Sequence, residues 1–261
     1  MTKLQILVIS LAAVLFLSLY FGFDTTSNKE KQDQENRVDA GISIDPQPLI
    51  SAAKKELSSF DLNDLTALEN QLEHAEGPDR LNVLEKLSGK WYRLNQPFLA
   101  GHYAELRASE DASGEAWSIA ATTYSAAVAD SREMISNGAL NKAISAFENA
   151  ISLQPENVQH RLNLALVYAE RPPKDNPMKG IQMLLSLNEK YPDDVLVLNT
   201  LGRLAIKTGQ WDRAQERLEK ADSIEPNNKV TVCLLSEVYA QQQDSRASAT
   251  KNKCELLTLK E

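Results

Sequence analysis

From Leu49 onward, apolar side chains recur at steps of three and four residues almost without interruption, the spacing that lines one face of an α-helix. The stretch DLNDLTALENQLEHAEGP shows the pattern plainly: Leu62, Leu65, Leu68 and Leu72 share a face, Asp61 is placed to cap the start, and Gly77-Pro78 to end the helix. Runs of β-branched residues with period two are scarce, so the pattern predicts an all-α chain. Two segments ahead of Leu49 differ. Leu4 to Phe23, LQILVISLAAVLFLSLYFGF, is 20 residues without a charge, long enough to cross a bilayer as one helix. A cleaved secretion signal is the competing reading, against which stand the long apolar core and the lack of a small-x-small site near SLYFGFD. Asp24 to Pro48 is polar, charge-mixed and free of helical periodicity, and reads as a flexible tether. The expected organisation is a transmembrane anchor over 1–23, a tether over 24–48, a helical N-terminal cap over 49–113, and paired helices over 114–257.

Prolines punctuate the helical part with a period. Pro155, Pro192 and Pro226 each close a helix, 37 and then 34 residues apart. In LNTLGRLAIKTGQWDRAQERLEKADSIEP, Leu198, Leu201, Gly202 and Ala205 line one helix, Gly209 turns the chain, and Ala214, Leu218 and Ala221 line the next. This resembles the tetratricopeptide repeat, in which small residues let two helices approach closely: Gly202 is expected to face Ala214, and Pro226 to stop the second helix. The preceding unit, 158–194, offers Leu164, Ala165 and Tyr168, then Gly180, Leu184, Leu187 and Pro192, with three extra residues in the turn RPPKDNP. The unit 114–157 offers Trp117, Ala120, Ala121 and Tyr124, then Ala143, Phe147, Ala150 and Pro155. Its roughly ten extra residues, SAAVADSREMISNG, are expected to lengthen the first helix or its turn. In 229–257, Val232, Leu235, Ser236 and Tyr239 precede a helix that is polar at Asn252, as the exposed end of a stack requires. A degenerate repeat with Leu84, Leu87, Ser88, Trp91, Ala100 and Ala104 is expected over 81–113. The resemblance implies a right-handed superhelical solenoid of antiparallel helix hairpins. It is to membrane-anchored tetratricopeptide-repeat proteins of bacterial envelopes.

Composition and charge narrow the function. The formal net charge of −8 repels phosphate backbones, and no basic stripe interleaved with aromatics offsets it, so nucleic acid is not an expected partner. Lys3 and the amino group sit on the short side of the apolar run, with Lys29 and Lys31 beyond it, so the N-terminus is expected in the cytoplasm and the repeats outside it, in the periplasm. Cys233 and Cys254 are expected as two small, half-buried residues on the last helices; outside the cytoplasm a disulfide between them is allowed. His74, His102 and His160 lack spaced partners for a metal, and no phosphate-binding, dinucleotide-binding or nucleophile-elbow motif is present. No cofactor and no enzymatic activity are expected. Trp91, Trp117 and Trp211 stand where packing wants large residues.

What remains is a surface. The resemblance implies that the first helices of the units line a concave groove that holds an extended peptide or helix of a partner. By register, Ser118 and Thr122 face it, then Gln159, Leu162 and Leu166, then Leu196, Asn199 and Arg203, then Val230, Cys233 and Glu237. The Asn199 amide is expected to read a peptide backbone and the Arg203 guanidinium to take a carboxylate. Some relatives clamp a C-terminal carboxylate with a Lys/Asn/Arg set over three repeats. Asn163 has a plausible place in such a set, but Leu196 and Thr200 stand where basic residues belong, which argues against that mode. The expected function is a membrane-anchored scaffold for another protein. Two other classes stay open: a structural or self-associating protein, including a homo-oligomer, and an enzyme with a site in 49–80 or in the SREMISNG insertion.

Overall fold

The computed structural model describes residues 44–259; the expected anchor and most of the tether lie outside the described residues. Twelve α-helices run in order: α1 Pro46–Lys54, α2 Ser59–His74, α3 Gly77–Arg93, α4 Pro97–Asp111, α5 Gly114–Ala126, α6 Glu133–Leu153, α7 Val158–Glu170, α8 Lys179–Lys190, α9 Val195–Lys207, α10 Trp211–Ile224, α11 Lys229–Gln241 and α12 Ala247–Thr258. A 3-10 turn at Ala127–Ala129 sits between α5 and α6, and there is no strand among the described residues. From α3 onward each odd-numbered helix packs along the even-numbered helix that follows it, so α3–α4 through α11–α12 form five hairpins in a row.

Three of the four joints between hairpins, those after α6, α8 and α10, repeat one local geometry. Pro155, Pro192 and Pro226 follow Gln154, Tyr191 and Glu225, whose φ/ψ values are −132/72, −129/68 and −127/82. A residue before proline is driven out of the α region by the ring, which stops α6, α8 and α10 at the same point. Two residues after each proline stands a short polar side chain that caps the next helix. Asn157 accepts from the Gln159 amide, Asp194 from Val197 and Asn228 from Thr231. The backbone N–H groups of these caps donate back to Gln154, Tyr191 and Glu225 at 3.1, 3.2 and 3.0 Å, closing the same tight turn three times.

Three of the five turns inside hairpins share a second geometry. Asn95, Gly209 and Gln243 have φ of 57°, 71° and 57°. In each case the next amide reaches the carbonyl five residues back (Gln96 to Trp91, Gln210 to Ala205, Asp244 to Tyr239), a left-handed cap that reverses the chain in two residues. The α3–α4 turn is thus of one kind with those of α9–α10 and α11–α12.

Several local expectations are corrected. Ser58 rather than Asp61 caps α2: its hydroxyl accepts from the Asp61 amide, and Asp61 accepts from that hydroxyl in return at 2.7 Å. α2 stops at His74, and Gly77-Pro78 begins α3 instead of ending α2, because proline fits the first helical turn. α1 starts at Pro46, inside the segment expected as tether. The insertion in 114–157 leaves α5 at 13 residues, the same length as α7, α9 and α11, and extends the second helix, α6, to 21. Ile44 packs at Gly138 in that added part of α6, where a Cβ would displace it.

Of the glycines where a Cβ would collide, Gly180 and Gly202 lie inside the units with the proline period. A Cβ on Gly180 would collide with the Ala169 amide and the Ala165 carbonyl, so here α8 touches the backbone of α7. Gly202 does not pair with Ala214; the atoms nearest to a Cβ there are those of Leu218, at 2.8 Å. Ala165, Ala214, Leu218 and Ala221 are buried, as are Ala121, Tyr124, Ala143, Phe147, Tyr168 and Leu201, while Trp117 and Trp211 are half-buried and Trp91 is fully enclosed. The apolar clusters follow the row: one under α1–α6, then others centred on α5–α7, on α7–α9 and on α9–α11.

α12 has no buried residue. It is tied to α11 by a Cys233–Cys254 disulfide and to its neighbours by Arg246, which lies 4.1 Å from the Tyr239 ring centroid and donates to Glu219 at 2.8 Å.

Two stability predictions follow from these contacts. Gly180→Ala is expected to cost about 1–3 kcal/mol in chemical denaturation, because backbone cannot yield, and more than Gly202→Ala, where Leu218 can turn. Equal costs would contradict the contact geometry at α7–α8. Cys254→Ser is expected to cost about 3 kcal/mol by the loop-closure relation and to raise amide exchange chiefly over 247–258. Unchanged protection there would show that packing alone holds α12.

Candidate functional site

The first helices of two successive hairpins, α7 and α9, make little direct contact, whereas α5 touches α7 and α9 touches α11 more extensively. Between α7 and α9 opens a cavity of about 630 Å³, closed at one end by the joints at 193–194 and 225–228 and by the start of α11. Gln159, Leu162 and Leu166 border it from α7, Leu196, Asn199 and Arg203 from α9, and Val230 from α11. Glu237, Cys233 and Ser118 do not border it, and Thr122 borders a different cavity, between α3 and α5.

The wall is apolar in the middle and charged at its ends. Leu162 is 2% exposed and forms part of the floor, packed in the cluster with Ala165, Leu184 and Val197. Leu196 and Val230 are 40% and 42% exposed and stand on the rim. Apolar surface left open beside a cavity is where desolvation favours a ligand. The polar residues on the wall are mostly committed to the fold. The Thr200 hydroxyl donates to the Leu196 carbonyl at 2.8 Å, and the Gln159 amide donates to Asn163 Oδ1 at 2.8 Å.

Asn199 corrects the expectation drawn from register. It is 5% exposed, and its amide links α9 to α11: Thr231 Oγ1 donates to Asn199 Oδ1 at 2.9 Å, and Asn199 Nδ2 faces Asn228 Oδ1 at 3.5 Å. A buried amide with partners on the next hairpin is a structural tie, and removing it would leave Thr231 unpaired. Arg203 is the opposite case. Its guanidinium is exposed on the wall and has no hydrogen bond or ion pair with another described residue. It is the group on this wall free to take an anion.

The acidic end escaped the sequence reading. Asp193, Asp194 and Glu225 border the cavity from the joints. Asp194 caps α9, Asp193 pairs with Lys220 at 3.0 Å, and Glu225 accepts from Asn228 at 2.8 Å. The available signal was an Asp or Asn two residues after each repeat proline, a capping position that places the joints at the cavity's edge.

Beside Gln159, His160 is buried. Its Nε2 lies 2.7 Å from Gln154 Oε1, and the Gln154 amide donates to both oxygens of Glu115 at 2.7 Å. Its Nδ1 is enclosed without a partner. Burial holds the imidazole below its ordinary pKa, with Glu115 opposing that and Arg161 adding to it. Among the described residues no group of three or more His, Cys, Asp and Glu side chains is placed to hold a metal ion.

Residues 196–228, α9 and α10 with their joint, match the family model described as Tetratricopeptide repeat. No curated protein matches the chain significantly. Among solved structures, one described as MamA 41-end from Desulfovibrio magneticus RS-1 is 16% identical, with 72% of this chain and 99% of that chain covered at a TM-score of 0.42. Another, described as a crystal structure of MamA, is 21% identical over 62% of this chain and 86% of that one, with a TM-score of 0.42. Likenesses that weak carry nothing about function. Residues 196–228 are thus similar to a tetratricopeptide repeat and lie within a row of helix hairpins.

The buried imidazole gives a pH prediction with a definite sign. A histidine whose folded pKa is lowered binds its proton more readily in the unfolded chain, so stability is full above the unfolded value of about 6.5 and falls as pH drops below it. Tm measured from pH 7.5 down to 5.5 is expected to fall, and His160→Gln to flatten that part of the curve. An identical slope in the variant would assign the effect elsewhere, for instance to His102, which burial also holds low.

Proposed function

We propose that this chain is a membrane-anchored tetratricopeptide-repeat scaffold that binds a segment of a partner protein in the cavity between α7 and α9. The observation that carries the reading is that cavity itself: an apolar floor at Leu162 and Leu166, open aliphatic side chains at Leu196 and Val230, and an unpaired guanidinium at Arg203. Such a wall suits an extended segment that inserts an apolar side chain and sets a carboxylate against the arginine. The activity proposed is binding.

Leu4–Phe23 would fix the repeats beside a bilayer, with the N-terminus in the cytoplasm and the repeats in the periplasm. The Cys233–Cys254 disulfide supports an oxidising compartment for the repeats. Among the described residues no helix is long and apolar enough to cross a membrane, so the anchor would be that one segment. Tethering raises the local concentration of a partner on the same membrane and lets a modest groove affinity suffice.

The test uses the full chain in detergent micelles as bait for an envelope extract of its host. A partner retained by the wild type is expected to be lost, by about tenfold or more, with Leu196→Glu and with Arg203→Glu, two exposed positions whose change leaves the core intact. Retention equal to wild type in both folded variants would remove this cavity from the interaction.

A further inference from the structure

We propose that the row of first helices carries a second subsite, between α3 and α5, and that the two subsites together take one peptide segment that is acidic and apolar at one end and basic and apolar at the other. This rests on the binding reading above and gives the segment its charge order.

The second cavity measures about 400 Å³ and is bordered by Ser88, Gly89, Tyr92 and Arg93 of α3 and by Thr122 and Thr123 of α5. The hydroxyls of Ser88, Thr122 and Thr123 donate within the fold. Ser88 donates to the Ala100 carbonyl at 2.9 Å, Thr122 to Ser118 at 2.8 Å and Thr123 to Ile119 at 2.7 Å. What these residues leave available is apolar surface. Tyr92 is 55% exposed, and Ile119, one turn before Thr122 and Thr123 on α5, is 57% exposed. Arg93 is exposed and has no hydrogen bond or ion pair with another described residue. An apolar well beside one unpaired guanidinium fits an aromatic or aliphatic side chain with a neighbouring carboxylate.

The two cavities differ in sign. The α3–α5 cavity has one formal positive charge on its border, from Arg93, and no carboxylate. The α7–α9 cavity sets Asp193, Asp194 and Glu225 against Arg203, three negative charges and one positive. Lys220 offsets Asp193 at 3.0 Å, which leaves Asp194 and Glu225 against Arg203 and the border still acidic. Each of the three carboxylates is held through one oxygen, so a cation can approach the other. Opposite charge at two points on one row of helices fixes the register and direction of a ligand, because the reversed placement sets like charges together. Helices in contact pack 8–10 Å apart and those flanking a cavity stand further apart, so cavities two hairpins apart are separated by roughly 20 Å or somewhat more. An extended segment of about ten residues spans that distance with an anchor at each end.

The test uses synthetic peptides of about ten residues and one composition, Glu, Lys, Leu and Phe. Two carry Glu and Phe at one end and Lys and Leu at the other, in the two possible chain directions; a third alternates Glu and Lys throughout. Binding to the full chain in detergent micelles is followed by fluorescence anisotropy of a label on the peptide. One of the charge-segregated peptides is expected to bind about tenfold or more tighter than the alternating one, and Arg93→Glu to abolish that advantage. Leu196→Glu is expected to weaken all three. Equal binding of all three peptides that is weakened by Leu196→Glu but untouched by Arg93→Glu would overturn the second subsite and leave the α7–α9 groove standing. Binding of none of them would overturn both.

Discussion

A proline ring pressing on the residue before it sets the spacing of this molecule. At Gln154, Tyr191 and Glu225 the ring forces the backbone out of the helix, and the polar side chain two residues further on starts the next helix. The three joints have nearly the same dihedrals and the same returning hydrogen bond, so at each of them the chain turns into the next hairpin in the same local way. The rest depends on that regularity. First helices come to lie beside first helices, cavities open between them, and the caps, being at the joints, border the cavity with acidic and amide groups. A charge at the edge of the groove is thus a by-product of the way the groove is assembled, and a ligand can exploit it at no further cost to the fold.

Packing then distinguishes the hairpins. Where a glycine meets backbone, as Gly180 meets α7, the pair is drawn together as closely as two helices can be. Where buried alanines line the seam, as Ala120, Ala121, Ala143 and Ala146 do at α5–α6, a large ring such as Phe147 or Tyr124 fills the space beside them. Tyr124 illustrates the polar cost of that solution. Its buried hydroxyl donates to Glu105 at 2.6 Å, and Lys142 balances the same carboxylate at 2.8 Å, so the ring brings its own ion pair into the wall.

The architecture was largely legible in the residues because its signals are local. Proline spacing, small residues and apolar periodicity each act within one helix or one turn, and they placed α7 to α12 without knowledge of neighbours. The faults arose where a residue's role is decided by a distant partner. Register puts Asn199 on the groove side of α9, but whether its amide is free depends on Thr231 and Asn228, two helices later. Gly202 was matched to Ala214 by family pattern, whereas the actual crossing brings Leu218 against it. The insertion mixes helix formers such as Ala126, Glu133 and Met134 with poor ones such as Asp130 and Ser131, and composition alone does not say which of two adjoining helices absorbs it. The α3–α5 cavity went unrecognised because Ser88, Thr122 and Thr123 look polar in sequence, and only their hydrogen bonds show that they present little polarity.

Linear arrays of this sort ordinarily loosen from their ends, where a unit has one neighbour instead of two. Here the last helix is strapped by a covalent bond, and the first end is thickened by α1, α2 and the added length of α6. The thinnest seam is therefore internal, at α7–α9, where the two first helices barely touch. Thermal agitation would part the molecule there into two blocks before it frayed at the C-terminal end, and a ligand bridging the seam would act as a splint, converting occupancy into resistance to heat and proteolysis along the whole row.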